Sequence, residues 1–398
     1  MNQAASARKR KFRITAFLFA TACCNLVLLF QVVPKLRNGY QDFAIYYTAG
    51  KLLREGRAAA LYDMGAQYQT QLTFANVPIR HGALPFNHPP FEALLFVPFT
   101  LLGFWPAYLL WTALSLGMLA TCVALLRRFP AIRAVHPALL GTGALAFFPL
   151  INGLLQGQDS ILLMFLAVAA LTCLDKGADA AAGAWLAAGL FRPHMVVPLA
   201  LLLAVRRWRV LVGFVPVALA LLGVTVAIMG WGGPLAYTRF VLFVEGARIG
   251  NFGPQVVPNL RGLIGSTLGN VSRPLSALLI AGSSVAAFVV ALRRIRNGGD
   301  SLSHSFCLAL VTTILVCFHA HSYELTLLLP LFLFLLAALV TSGSGQSATR
   351  AVLLFLLVFT PLYMYLLYEL GHFFWFGLVV LWLFFRLLRA PAPAPEPN

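Results

Sequence analysis

Apolar runs of about bilayer length recur from one end of this chain to the other. The first, from about Ile14 to Val33, is long enough to cross a bilayer as a helix. Of the 398 residues 60% are hydrophobic and only 10% charged, where a soluble domain carries roughly a quarter charged residues. The expectation is an all-α polytopic membrane protein.

The net charge of +17 raises the question of nucleic acid. The cations form no single basic domain or RNA-binding module; they fall in short clusters between apolar runs, as cytoplasmic span ends do. No nucleic-acid partner is expected. Cys23, Cys24, Cys122, Cys173, Cys307 and Cys317 lie in apolar runs without metal-ligand spacing, and are expected to be buried small hydrophobes. The first run follows a basic segment and lacks a small-residue cleavage signal, so it reads as an uncleaved signal anchor.

Arg8, Lys9, Arg10, Lys11 and Arg13 place the N-terminus inside. Following the charges gives about twelve spans, both termini cytoplasmic, and one domain over residues 1–390. Two longer extracytoplasmic loops cover 34–88 and 231–272, and a disordered Pro/Ala-rich tail covers 391–398. Within the first loop, Ala49–Leu61 suits an amphipathic helix with Lys51, Arg54 and Arg57 on its wet side. Pro89–Leu102 is short and bracketed by prolines, which suits a re-entrant or interfacial piece. Ala180–Phe191 and Met195–Val205 are also short, as broken helices beside a cavity are.

Few polar residues remain, and each has two readings. Asp42, just past the first span, is either a surface carboxylate or cap, or a functional group meeting a lipid-borne substrate. Asp63, Asp159, Glu245, Glu324 and Glu369 also fall at outer span ends or in outer loops. Tyr46 and Tyr47 fit an interfacial aromatic belt or sugar stacking, and Asn87-His88-Pro89-Pro90 a stiff turn or a site. Gln158-Asp159-Ser160 suits a helix N-cap or hydrogen bonding to sugar hydroxyls. Arg192, beside His194, suits a fixed anion such as phosphate or a carboxylate such as Asp159 or Glu324. Arg239, Arg248 and Arg261 suit phosphate or plain solvation. His319-Ala320-His321-Ser322-Tyr323-Glu324 reads as a hydrogen-bonding wall around a polar ligand, because spacing by two is not a metal-binding helical pattern.

No phosphate-cradling GxxxxGK[ST], dinucleotide GxGxxG or serine-hydrolase elbow is present. Any transferred group must therefore arrive activated, from within the membrane.

Asp42-Phe43-Ala44-Ile45-Tyr46-Tyr47-Thr48-Ala49-Gly50, with Gly56 and Leu61-Tyr62-Asp63, resembles the first outer loop of glycosyltransferase family 87. That family includes polyprenol-phosphate-mannose-dependent mannosyltransferases. The resemblance continues through His88-Pro89-Pro90, Gly157-Gln158-Asp159-Ser160, Arg192-Pro193-His194, Arg206-Arg207-Trp208-Arg209, Pro258-Asn259-Leu260-Arg261-Gly262 and His321-Ser322-Tyr323-Glu324-Leu325. Two positions depart from it: the family usually has lysine at Arg192 and asparagine at Asp159.

The resemblance implies a GT-C fold in the cell (inner or plasma) membrane, with its active site facing outward. It implies a polyprenyl-phosphate-sugar donor, a lipid or glycan acceptor, and inverting transfer of a hexose such as mannose. Asp42 would be the general base and Arg192, His194 and Arg261 would contact the donor phosphate. Tyr46, Tyr47, His88, Gln158, Asp159, His319, His321 and Glu324 would surround the sugar or acceptor. No cofactor is expected, and a divalent metal is left open by the scattered outer carboxylates. A polyisoprenoid flippase or transporter without chemistry is the competing class; it would place its binding groups near the bilayer midplane, often in related repeats.

Overall fold

A computed structural model describes residues 2–37, 39, 41–75, 83–247, 249, 253–269, 271–341 and 347–389. Asn38, Tyr40, Arg248 and the tail expected over 391–398 lie outside them. Every regular element among the described residues is helical. α1 (Asn2–Arg37) is followed by α2 (Phe43–Arg54), α3 (Met64–Leu72) and α4 (Pro90–Phe96), then α5 (Phe104–Leu126) and α6 (Pro130–Arg133). α7 (Pro137–Ala146) and α8 (Phe148–Gln156) precede α9 (Ser160–Asp175), α10 (Asp179–Ala188), α11 (Pro193–Ala204) and α12 (Arg209–Met229). α13 (Gly233–Gly246), α14 (Leu260–Leu268), α15 (Arg273–Asn297) and α16 (Leu302–Val316) come next. The chain closes with α17 (Leu329–Thr341), α18 (Ser347–Val358), α19 (Thr360–Met364) and α20 (Gly377–Arg389).

Among the described residues, five helical segments are long and apolar enough to cross a bilayer: Arg8–Val32, Phe104–Leu126, Arg209–Met229, Arg273–Asn297 and Glu324–Thr341. Two bent pairs, α7 with α8 at 66° and Ala348–Val358 with Thr360–Glu369 at 51°, raise the number to 7 if each is one span. This falls short of the twelve expected. Hydropathy marks each apolar run as a crossing, whereas α9, α11 and α16 are shorter apolar helices. Between α10 and α11 the chain breaks at Arg192, as the short runs there suggested.

Both long loops carry helices among the described residues: α2 and α3 in the first, α13 and α14 in the second. α2 begins six residues before the expected amphipathic helix, because Phe43, Ala44, Tyr46, Tyr47, Ala49 and Leu52 form one buried face. Arg54 and Arg57 are exposed. Pro89–Leu102 becomes α4 plus a single 3-10 turn over Pro98–Leu101, too short to cross. α2 and α4 pack closely at Gly50, where an added Cβ would lie 2.7 Å from the Phe96 carbonyl carbon. The cysteines are corrected in part: Cys122, Cys307 and Cys317 are buried, but Cys23 and Cys24 are exposed on α1. On a membrane-crossing helix the outward face is apolar too, so hydropathy does not separate lipid-facing from buried positions.

Candidate active site

The site is built where α2 meets the turn between α8 and α9. Gly157 closes α8 with φ +62°, a left-handed conformation suited to glycine. A Cβ there would sit 2.7 Å from the Phe43 Cβ, so glycine lets the turn close onto the start of α2. Gln156 Oε1 then accepts the Asp42 backbone N–H at 3.1 Å, and Gln158 Nε2 donates to Asp42 Oδ2 at 2.9 Å. Asp42 is neither surface carboxylate nor side-chain cap: it is 8% exposed, and its side chain makes no capping bond to α2.

The Gln158 carbonyl has its own partners. Tyr46 donates its hydroxyl to Oε1 at 2.6 Å and Arg192 Nη2 donates to the same oxygen at 3.0 Å. Two donors on the oxygen fix the amide orientation and leave the NH2 to face Asp42. Tyr46 is fully buried against Phe96 and His88, so it does not belong to an interfacial belt. Tyr47, one residue on, points elsewhere: its hydroxyl bonds the Leu102 carbonyl at 2.8 Å and its ring packs on Phe74 and Phe104. The polar centre does not include it.

Arg192 lies in the break between α10 and α11, buried. Its Nη2 is 2.7 Å from Asp159 Oδ1, its Nε reaches both Asp159 oxygens at 3.1 and 3.0 Å, and its Nη1 is 3.0 Å from Glu324 Oε1. Of the two readings of Arg192, the structure places it against carboxylates. Asp159 occupies the N-cap position of α9 but makes no side-chain cap bond; its oxygens serve Arg192 instead. Burial alone would raise the Asp159 carboxyl, but Arg192 holds it below the usual carboxylate range. Glu324 also accepts the His321 backbone N–H through Oε2, which ties the histidine turn to Arg192.

On the far side of Asp159, His88 Nδ1 lies 2.6 Å from Glu92 Oε2 and 3.8 Å from Asp159 Oδ2. Tyr62 holds the His88 carbonyl at 2.8 Å. Burial pushes the His88 ring down to about 3, so it is neutral, and burial together with Asp159 pushes Glu92 well above the carboxylate range. Sequence reasoning missed Glu92, and its one signal was a carboxylate four residues after His88 inside an apolar run.

His321, His319 and His194 continue the polar surface, with ring centroids 4.5 Å apart for His319 and His321 and 6.5 Å for His194 and His319. His319 Nδ1 is 3.3 Å from Glu245 Oε1, and Glu245 Oε2 is 2.8 Å from Arg261 Nη2. Arg261 Nη1 donates to the Phe318 carbonyl at 2.8 Å while the guanidinium lies 4.2 Å over the Phe318 ring. Beyond it opens a cavity of about 1030 Å³ lined by Glu245, Gln255, Arg261, Arg273, His372 and Trp375 among others. Asp42, Gln158 and Arg192 do not line this cavity; the two regions meet through Glu245 and the histidine turn. Arg239 is exposed on α13, away from these contacts.

The arrangement can hold a carboxylate in a fixed orientation beside buried polar groups, with a cationic cavity nearby. The family model for glycosyltransferase family 87 matches residues 86–319, more than half of the chain. No curated protein and no solved structure matches.

Proposed function

The chain belongs to glycosyltransferase family 87, and from that premise we propose that it moves a hexose, mannose first among them, from a polyprenyl-phosphate donor. The acceptor is the hydroxyl of a lipid or glycan on the extracytoplasmic face of the cell membrane. In this reading Asp42 removes the proton of the acceptor hydroxyl as the oxygen attacks the anomeric carbon. The C–O bond to the lipid phosphate breaks in the same displacement, which inverts the configuration. The departing phosphate carries the electron pair, and fixed cations stabilise its charge.

The observation that carries this reading is the orientation of Asp42 by Gln158, whose carbonyl is held in turn by Tyr46 and Arg192. The geometry also redistributes the roles. Arg192 is committed to Asp159 and Glu324, so it acts through Gln158 as a positioning residue. Arg261 and Arg273, which line the cavity, become the candidates for donor phosphate. His319 and His321 lie between the two regions and suit contacts to the sugar.

The test is transfer of labelled sugar from a panel of polyprenyl-phosphate sugars by the reconstituted protein, read by mass spectrometry. Transfer by the wild type and its loss in Asp42→Asn, with the fold intact, is the expected result. An active Asp42→Asn enzyme removes Asp42 as the base. A wild type inert toward every polyprenyl-phosphate donor sinks the donor class.

A further inference from the structure

His88, Glu92 and Asp159 each offer one ligand atom, and the three atoms all lie within 4.8 Å of one another. All three side chains are buried, at 4%, 3% and 0% exposure. Neither Glu92 oxygen nor His88 Nδ1 makes a hydrogen bond of good geometry, although Nδ1 and Oε2 approach to 2.6 Å. A nitrogen and a carboxylate oxygen at that distance need a proton or a metal ion between or beside them, and a buried carboxyl without well-formed hydrogen bonds is costly. The surroundings reinforce this. Arg192 pairs with Asp159 and Glu324 rather than with Glu92, so the Glu92 carboxyl is left facing His88.

We propose that His88, Glu92 and Asp159 form the binding site of one divalent transition-metal ion of the Mn²⁺ or Zn²⁺ class. One imidazole nitrogen with two carboxylates suits these ions, whereas Mg²⁺ and Ca²⁺ favour oxygen-only sets. His88 and Glu92 stand four residues apart at the start of α4, and Asp159 stands at the start of α9. The ion therefore ties α4 to α9. Arg192 holds the same Asp159 carboxylate from the other side, so the ion fixes the residue next to Gln158 and supports the orientation of Asp42 without touching it.

The test needs no transfer activity, so its outcome is independent of the glycosyltransferase reading. Full-length protein in nanodiscs is stripped with a chelator, dialysed against Mn²⁺ or Zn²⁺, and its metal measured by mass spectrometry. One ion per chain is expected in the wild type and in His319→Gln, and loss of that ion in Glu92→Gln and His88→Gln. Spin-echo modulation of the Mn²⁺ form should show a coupled imidazole nitrogen that vanishes in His88→Gln. Absence of stoichiometric uptake by the wild type overturns the site and leaves a proton shared between His88 and Glu92. Uptake at the wild-type level in Glu92→Gln, or loss in His319→Gln, overturns it in favour of an ion held elsewhere. If the α4 variants do not fold, the nitrogen-coupled Mn²⁺ signal decides through its persistence or loss in His319→Gln.

Discussion

Gln158 donates to the Asp42 carboxylate at 2.9 Å across 116 residues of chain. The contact exists because Gly157 lets the α8–α9 turn close onto Phe43. The position of the proposed base is thus set by a distant turn rather than by its own loop.

Replacing Gln158 by leucine should therefore act on the chemical step. Misplacement of a reacting group by about 1 Å costs on the order of 10²-fold in rate, so kcat should fall by about that factor while donor KM changes little. The Tyr46 hydroxyl and Arg192 N–H also lose their acceptor, at about 1–3 kcal/mol of stability. Gln158→Glu restores the acceptor but sets a like charge against Asp42, and should not rescue kcat. Steady-state kinetics with labelled donor separates these outcomes, and an unchanged kcat in both variants removes Gln158 from the positioning role.

Arg192 and Asp159 are in contact at 2.7 Å, which links the two departures from the family resemblance. Lysine at 192 would keep the charge but lose the planar fork that reaches both Asp159 oxygens, and asparagine at 159 would remove the carboxylate that this fork holds. Arg192→Met should destabilise the protein by about 3–5 kcal/mol, since it leaves Asp159 and Glu324 buried without their cation. The double variant Arg192→Lys with Asp159→Asn should be more stable than the sum of its single changes predicts. Unfolding in detergent gives the double-mutant cycle, and strict additivity would contradict the pairing.

Burial, and then the neighbouring His321, His194, Arg261 and Arg192, hold the His319 ring well below its ordinary value of 6.5. The unfolded chain binds its proton near 6.5 and the folded chain does not, so folded-state stability is present above that pH. It is lost as pH falls from about 6.5 toward the folded value, by up to about 1.4 kcal/mol per pH unit. His319→Gln should flatten this acid limb of the stability curve. A limb of the same slope in the variant would assign the titration to another group.

Legibility in the sequence followed chemistry that leaves a local trace. Helices at nearly all the apolar runs and the break at Arg192 could be read because charge stands out against an apolar background. Two kinds of fact could not. Direction around a helix is one: Tyr46 and Tyr47 are neighbours, yet one faces Gln158 and the other Phe104. Long-range partnership is the other: whether Arg192 meets phosphate or Asp159 depends on how α9 and α11 pack, which no local pattern encodes. Glu92 was hidden for the same reason, since its second neighbour, Asp159, comes from another helix. The twelve spans expected are not confirmed among the described residues, because hydropathy alone does not separate a crossing from a shorter apolar helix such as α9, α11 or α16.

Arg261 offers the remaining prediction, because its geometry is one that lysine does not reproduce. It combines an ion pair with Glu245, a bond to the Phe318 carbonyl and a position over the Phe318 ring, all at the edge of the large cavity. A planar guanidinium satisfies these together and still presents N–H groups in a fixed plane; an ammonium is a point charge on a flexible stem. If this cavity receives the donor phosphate, Arg261→Ala should raise donor KM and lower kcat, because the same cation meets the phosphate before and during bond breaking. A loss of about 2.7–4 kcal/mol, roughly 10²–10³-fold in kcat, is the scale for one such electrostatic contact. Arg261→Lys should recover part of the donor KM and little of kcat. Kinetics with a polyprenyl-phosphate sugar and with a shortened-chain analogue would read both effects. Full activity in Arg261→Ala would move the phosphate away from this end of the cavity, toward Arg273.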